Sequence, residues 1–306
     1  MPLTQVGERL GDGAQQATVQ DDIAAPMSQA ERARATPRHG LIVTADDFGL
    51  DLRVNEAVEH AHRYGVLTAA SLMVGARCAA DAVARAQRLP TLRVGLHLVL
   101  VDGFALLPPA QIVALVDPAG RLPNAMVRDG FRFFLLPQVR AQLAREIRAQ
   151  FDAFARTGLA LDHVNTHKHF HLHPTVLSLI LAIGRDYGMR AIRLPREARA
   201  PWWLQPWIAL VRARLERAGI ACNDYVVGIE QTGRMDEQAW LHAIATLPAG
   251  VGEIYCHPAT GGGGPLTQSM SDYRHADELA ALCSPRVAAA LAAAGVVRGG
   301  FADLLA

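Results

Sequence analysis

From residue 40 onward, short β-branched apolar runs alternate with longer stretches whose apolar positions recur at helical spacing. LIVTA (41–45) predicts a strand, and RVNEAVEHAHRYG, closing on Gly65, predicts the helix after it. VLTAASLMVG (66–75) and RVGLHLVL (93–100) predict strands on either side of the amphipathic helix CAADAVARAQRL (78–89), which Pro90 stops. A proline-rich, loop-rich insert is expected over 102–136, then a long helix over 137–158. LDHVN (161–165) and AIRLP (191–195) read as strands, with helices over 174–188 and 203–218. NDYVVGI (223–229) and VGEIYCHP (251–258) read as later strands around a helix at 236–247. Ala/Leu-rich helices fill 275–294, followed by VVRGG and a terminal helical turn.

Alternating strands and helices indicate βα units around a parallel sheet. A count of about seven strands is high for a small open sheet. The fold class is therefore α/β, with a distorted (β/α) barrel, TIM-barrel-like, expected first and a doubly wound sheet second. Residues 1–38 lack apolar periodicity and are expected to be a flexible extension, leaving 39–306 as a single domain.

Composition narrows the function classes. The 306 residues are 51% hydrophobic, enough for a sizeable core. A net charge of +1 supplies no field for a polyanion, so nucleic acid is excluded as a partner. Cysteines 78, 222, 256 and 283 form no C-x-x-C pair, so neither a zinc knuckle nor a disulfide framework is indicated, and a reducing, cytoplasmic setting is expected. No secretory signal and no transmembrane run are visible. PWWLQPWIALVRARL (201–215) comes nearest to a membrane-facing segment, but a core helix with a tryptophan-rich start is the preferred reading.

Sites of parallel α/β folds form at the carboxyl ends of strands. There the chain places Asp46-Asp47, then His97, then NTHKHFHLHP (165–174), and later His257. An isolated Asp-Asp is ordinarily a helix cap, but Asp51 lies closer to the helix and leaves the pair spare. His97 alone, among apolar neighbours, would be a core histidine. His163, Asn165, His167, His169, His171 and His173 occupy alternate positions and share one face if the segment is extended. Spacing does not choose among these histidines. One aspartate of the pair suits a metal, while its neighbour takes a proton from water. A carboxylate with two imidazoles makes an open zinc site, and also suits Mn2+, Ni2+ or Co2+, with Mg2+ less natural. His257 suits a general acid. The GGGG loop (261–264) lacks the G-K-[ST] of a phosphate loop. DFG (47–49) lacks an H-R-D partner, and neither H-E-x-x-H nor G-x-S-x-G occurs.

TADDFG (44–49), TAASLMVG (68–75), GLHLVL (95–100) and the H-x-H-x-H-x-x-P of 167–174 together resemble the YdjC-like family of carbohydrate deacetylases, chitooligosaccharide deacetylase among them, over about residues 40–260. GVLTAASLMVGARCAADAVARA, LRVGLHLVL and DHVNTHKHFHLHPTVL look most like its hopanoid-biosynthesis-associated HpnK branch. That resemblance implies a distorted (β/α) barrel that removes the acetyl group from an N-acetylglucosaminyl hopanoid lipid. It also implies Asp46 as base, and Asp47, His97 and His167 as ligands of one divalent ion, Zn2+ first. Many members carry Asp where this chain has Asn165, which can orient a neighbour but brings no charge. Arg193 and Glu197, in IRLPRE, resemble a substrate-side segment, with a surface ion pair as the plainer alternative. Asn165 and His169 are expected to orient ligands or touch substrate.

The expectation is a cytoplasmic, metal-dependent N-deacetylase of a sugar or glycolipid, with peripheral contact at the inner face of the membrane and a homodimer both allowed. The alternatives are a chitooligosaccharide or other N-acetyl-sugar deacetylase, another metal hydrolase, and a non-catalytic metal- or sugar-binding module. A pure binding module has no use for an unligated Asp46.

Overall fold

A computed structural model describes residues 39–197, 202–262 and 264–305, so the expected extension over 1–38 lies outside the described residues. The central strand is β1 (His39–Phe48), buried from Gly40 onward as a parallel strand covered on both faces must be. Helix α1 (Leu52–Tyr64), strand β2 (Ala69–Leu72), helix α2 (Ala79–Ala86) and strand β3 (Arg93–Leu98) follow. The stretch expected as loops holds the antiparallel pair β4 (Gly103–Phe104) and β5 (Arg121–Leu122), then helix α3 (Met126–Leu135). Next come α4 (Pro137–Arg156), β6 (Val164–Thr166), α5 (Pro174–Gly184), α6 (Gln205–Arg217) and β7 (Tyr225–Val227). The chain ends with α7 (Glu237–Ala245), β8 (Gly250–Cys256), α8 (His275–Leu282), α9 (Pro285–Ala293), β9 (Val297–Gly299) and α10 (Phe301–Leu304).

The main sheet runs β6-β3-β2-β1-β8-β7, with β9 also on β1, and its strands pair in parallel. Residues 191–196 link its two edges. Val164 of β6 bridges Ile192, Ala191 bridges Ala221, and the Val226 N–H of β7 donates to the Arg196 carbonyl. Hydrogen bonding thus returns around a curled sheet, the distorted barrel expected. The predicted strand AIRLP is reduced to single bridges.

Local chemistry accounts for several boundaries. The Asp51 carboxylate caps α1 by accepting the Arg53 N–H, which leaves Asp46 and Asp47 free. Pro137 and Pro174 open α4 and α5 at a position where a missing N–H costs nothing. His163 points into the core, stacked on Phe301 at 4.5 Å and held between Asp162 (2.8 Å) and Ser71 (3.0 Å). A Cβ at Gly95 would stand 2.4 Å from the His163 ring, so this packing requires glycine. The tryptophan-rich start of the 203–218 helix departs from the core reading. Trp202 and Trp203 are 85% and 64% exposed, and only Ile208, Val211 and Leu215 of α6 are buried. Among the described residues, no helix is long and apolar enough to cross a membrane.

Candidate active site

Neighbouring residues of a strand point to opposite faces, so Asp46 and Asp47 need a backbone irregularity to serve one site. They have it. The β1–β2 register shifts between Ala45 and Phe48, and Asp47 takes a left-handed φ of 62°. Such a backbone is strained for a non-glycine residue and is characteristic of functional positions.

Asp47 Oδ1 lies 3.3 Å from His97 Nε2 and 3.4 Å from His167 Nδ1, and the two nitrogens are 3.5 Å apart. Among the described residues, these three form the one group of Asp, Glu, His or Cys whose ligand atoms lie within 4.8 Å of one another. All three side chains are buried, and neither Asp47 oxygen accepts a hydrogen bond. A buried, unbonded carboxylate is costly unless a cation faces it. One carboxylate with two imidazoles is a suitable donor set for a divalent ion, so the residues present fit a metal.

The supporting groups fix how each atom is presented. His97 Nδ1 stands 2.7 Å from Asn165 Oδ1, which can only accept, so Nδ1 carries the proton and the Nε2 lone pair faces Asp47. The Asn165 amide nitrogen donates to Asp46 Oδ1 (3.1 Å) and Ser71 Oγ (2.9 Å). The amide thus joins His97 to Asp46, which a carboxylate at 165 could not do without repelling Asp46. Arg193 was expected to bind substrate or to support the site from behind, with a surface ion pair as the alternative, and the surface alternative fails. Arg193 is fully buried, forking onto Asp46 at 2.6 and 2.9 Å and onto Glu253 at 2.9 and 2.7 Å. Burial acts to raise the Asp46 carboxyl, but the Arg193 guanidinium outweighs it and holds Asp46 well below the usual carboxylate range.

The alternating polar row at 163–173 does not share a face. Lys168 and His169 both adopt left-handed backbone (φ 56° and 54°), which breaks the extension and turns the chain into a short helical segment. His171 is bound to Thr166 Oγ1 and the Arg193 carbonyl, and burial pushes it down to about 3. His173 packs against Phe133 of α3. His169 does reach the site, its Nε2 3.3 Å from the Tyr255 hydroxyl. Glu197 does not. Its carboxylate accepts the N–H groups of Gly228, Ile229 and Glu230, shaping the turn that carries Ile229 and Thr232 to the site.

Asp46, His97, His167, His169, Tyr255 and His257 all line one small cavity of about 110 Å3. His257 Nε2 is 3.9 Å from Asp47 Oδ2, and its Nδ1 has no partner. Burial lowers the His257 pKa, with Asp47 and Asp46 pulling the other way. Behind it, Glu278 accepts the backbone N–H groups of His257 and Met235. Burial pushes Glu278 up to about 7 from 4.5. The folded state therefore binds the more protons between those pH values, and stability falls as pH rises through them. At about 1.4 kcal/mol per unit, the stability difference between wild type and Glu278→Gln should shift by about 3 kcal/mol against wild type from pH 4 to pH 8. Urea unfolding at both pH values measures it, and a pH-independent difference would contradict the protonated buried carboxyl.

Sequence reasoning passed over Ser71, Glu253, Tyr255 and Glu278. Glu253 and Tyr255 were detectable, since with His257 they fall on alternate positions of one buried strand and so on one face.

The family model described as YdjC-like protein matches residues 40–293. The chain belongs to the YdjC-like family. Relatives of this YdjC-like chain include a carbohydrate deacetylase of Geobacillus stearothermophilus, 30% identical over 85% of this chain and 95% of that one. A chitooligosaccharide deacetylase of Serratia marcescens is 30% identical over 86% of this chain and 98% of its own length. The carbohydrate deacetylase of Brevibacillus brevis is 40% identical, but the match spans only 53% of this chain and 59% of that protein. A crystal structure from Enterococcus faecalis V583, of a candidate cellobiose-phosphate cleavage protein, shares the fold. Its TM-score is 0.71 at 23% identity, over 88% of this chain and all of the other.

Proposed function

We propose that this YdjC-like protein is a metal-dependent N-deacetylase that hydrolyses the acetamide of an N-acetylglucosaminyl group carried on an apolar aglycone, a hopanoid glycolipid in first place. The observation that carries the reading is Asp46. It is a buried carboxylate beside the Asp47–His97–His167 trio, outside the trio itself, and open to the same small cavity. The names of the relatives support the carbohydrate and the acetyl group.

Asp47, His97 and His167 would hold the ion. When bound, a divalent ion such as zinc supplies Lewis acidity toward a carbonyl and makes water acidic enough to ionise near neutral pH. Asp46, kept ionised by Arg193, accepts the proton of the attacking water. The 110 Å3 cavity admits a group the size of an acetamide and little more. For the leaving amine, His257 Nε2 is our proton donor. Burial favours its neutral ring, so it donates after taking up a proton within the cycle.

The apolar aglycone is supported by a neighbouring cavity of about 440 Å3 that shares His167 and Met270 with the small one. Leu50, Met73, Val99, Leu106, Leu122 and Leu266 give it an apolar part beside Arg77, Asp102, Arg121, Gln150, Thr267 and Gln268, and Phe104 is its one Phe, Tyr or Trp ring among the described residues. A chain of free sugars would favour more aromatic platforms than the single Phe104 ring, and the polar side chains here suit the one sugar that carries the acetamide. We place the reaction in the cytoplasm.

The test compares an N-acetylglucosaminyl lipid with a chitooligosaccharide by mass spectrometry, with and without chelator. Acetate release is expected chiefly from the lipid, stopped by chelator and restored by zinc. Release chiefly from the chitooligosaccharide would transfer the reading to the free-sugar alternative, and release from neither would end it.

A further inference from the structure

Helix α3 is amphipathic in the reverse of the usual sense. Gly130 and Phe133 face inward, with Phe133 5.4 Å from Phe170. Val127, Phe131 and Leu135, one turn apart on the opposite side, are 77%, 65% and 64% exposed, and Phe134 and Leu136 lie open beside them. A helix facing only water carries polar residues there.

Arginine surrounds this stripe. Residues 121–145 hold Arg121, Arg128, Arg132, Arg140 and Arg145 against a single acid, Asp129, which is engaged by Arg128 and Arg132 at 3.1 Å. Arg121, Arg128 and Arg132 line one surface recess together with the exposed Val113. Asp117 also lines it, as a carboxylate that accepts the N–H groups of Ala119 and Arg121, so the three arginines there outnumber Asp117 and Asp129 by one. Arg140 and Arg145 meet only backbone carbonyls.

A second exposed apolar group borders the same part of the fold. Trp207 Nε1 donates to the Leu172 carbonyl, next to His173 on which Phe133 packs. Trp207, on the helix that Trp202 and Trp203 precede, thus touches the segment His167–Leu172, whose first residue belongs to the candidate metal trio.

We infer that α3 docks this protein on the surface of an anionic lipid bilayer. Apolar side chains enter the acyl boundary and guanidinium groups meet lipid phosphates. A second copy of the chain fits poorly, because a twofold interface would set this arginine-rich face against itself. The inference goes beyond the reaction proposed above and stands without it.

The test is co-sedimentation of the full chain with phosphatidylglycerol-containing vesicles and with pure phosphatidylcholine vesicles. Binding to the anionic vesicles is expected, weakening as salt screens the charges. Phe131→Ser with Leu135→Ser should weaken it about tenfold or more while leaving the melting temperature unchanged. Arg140→Gln with Arg145→Gln should weaken it and flatten its salt dependence. Absence of binding at low salt, or binding undiminished in the serine variant, would overturn the inference. So would a wild-type dimer in sedimentation velocity that the serine variant dissolves, since the face would then belong to a second copy.

Discussion

Asp46→Asn is expected to lower kcat by about a thousandfold while fold and metal content stay as they are. The loss follows from removing the one carboxylate at the cavity that is free to accept a proton. Stability is spared by the local charge balance. Arg193 sits between two carboxylates, so neutralising Asp46 leaves the buried Arg193–Glu253 pair intact and stranding no charge. Asparagine also keeps an oxygen to accept from Arg193. Turnover, bound metal by mass spectrometry and melting temperature together test this. Metal lost along with activity would make Asp46 a ligand, and near-normal turnover would remove it from the chemistry.

Arg193→Met is expected to do the reverse, costing about 3–5 kcal/mol of stability because it leaves two buried carboxylates without a cation. Its pH dependence carries the sign. In the wild type, Arg193 holds Asp46 below its ordinary 3.8, so this group stabilises the fold above that pH and the effect is lost on acidification. Without Arg193, burial dominates and the Asp46 carboxyl rises above its ordinary value. The variant should then be least stable, relative to wild type, at alkaline pH, and the acid limb of its activity should move upward. Arg193→Lys, with charge but no fork, should fall between. Urea unfolding at pH 5 and pH 8 reads the effect, and a deficit below about 1 kcal/mol at both would refute the role given to the guanidinium.

The fold was legible where pattern and packing agree. Parallel strands buried on both faces need unbroken apolar runs, so β1, β3 and β8 announced themselves, and Asp51 marked the start of α1. The barrel and a strand at 191–195 were expected, but that this strand is reduced to single bridges was hidden, because those residues bond to neighbours far along the chain. Helix α3 was hidden because its apolar residues face outward and share the segment with prolines. At the site, strand ends pointed to Asp46, Asp47, His97 and the 165–174 stretch, yet His167 was singled out only by family resemblance. The left-handed pair Lys168–His169, which disperses the histidine row, has no local signal: neither residue is glycine or asparagine. Arg193 was placed near the site only by family resemblance, and its contact with Asp46 was hidden because its partners lie at 46 and 253.

Asn165 and Arg193 share one property that bears on proton traffic. Both contact Asp46 solely through N–H groups, and neither an amide nitrogen nor a guanidinium takes up a proton near neutral pH. The back of Asp46 is therefore insulated. A proton that arrives there has no conduit inward to His97 or Glu253 and can leave only by the face through which it came. Because Arg193 holds it well below the usual carboxylate range, the carboxyl yields that proton readily to a stronger base in the cavity. In the proposed reaction this makes Asp46 a relay, and His257, whose ring must gain a proton before it can donate one, is the fitting claimant on the same cavity.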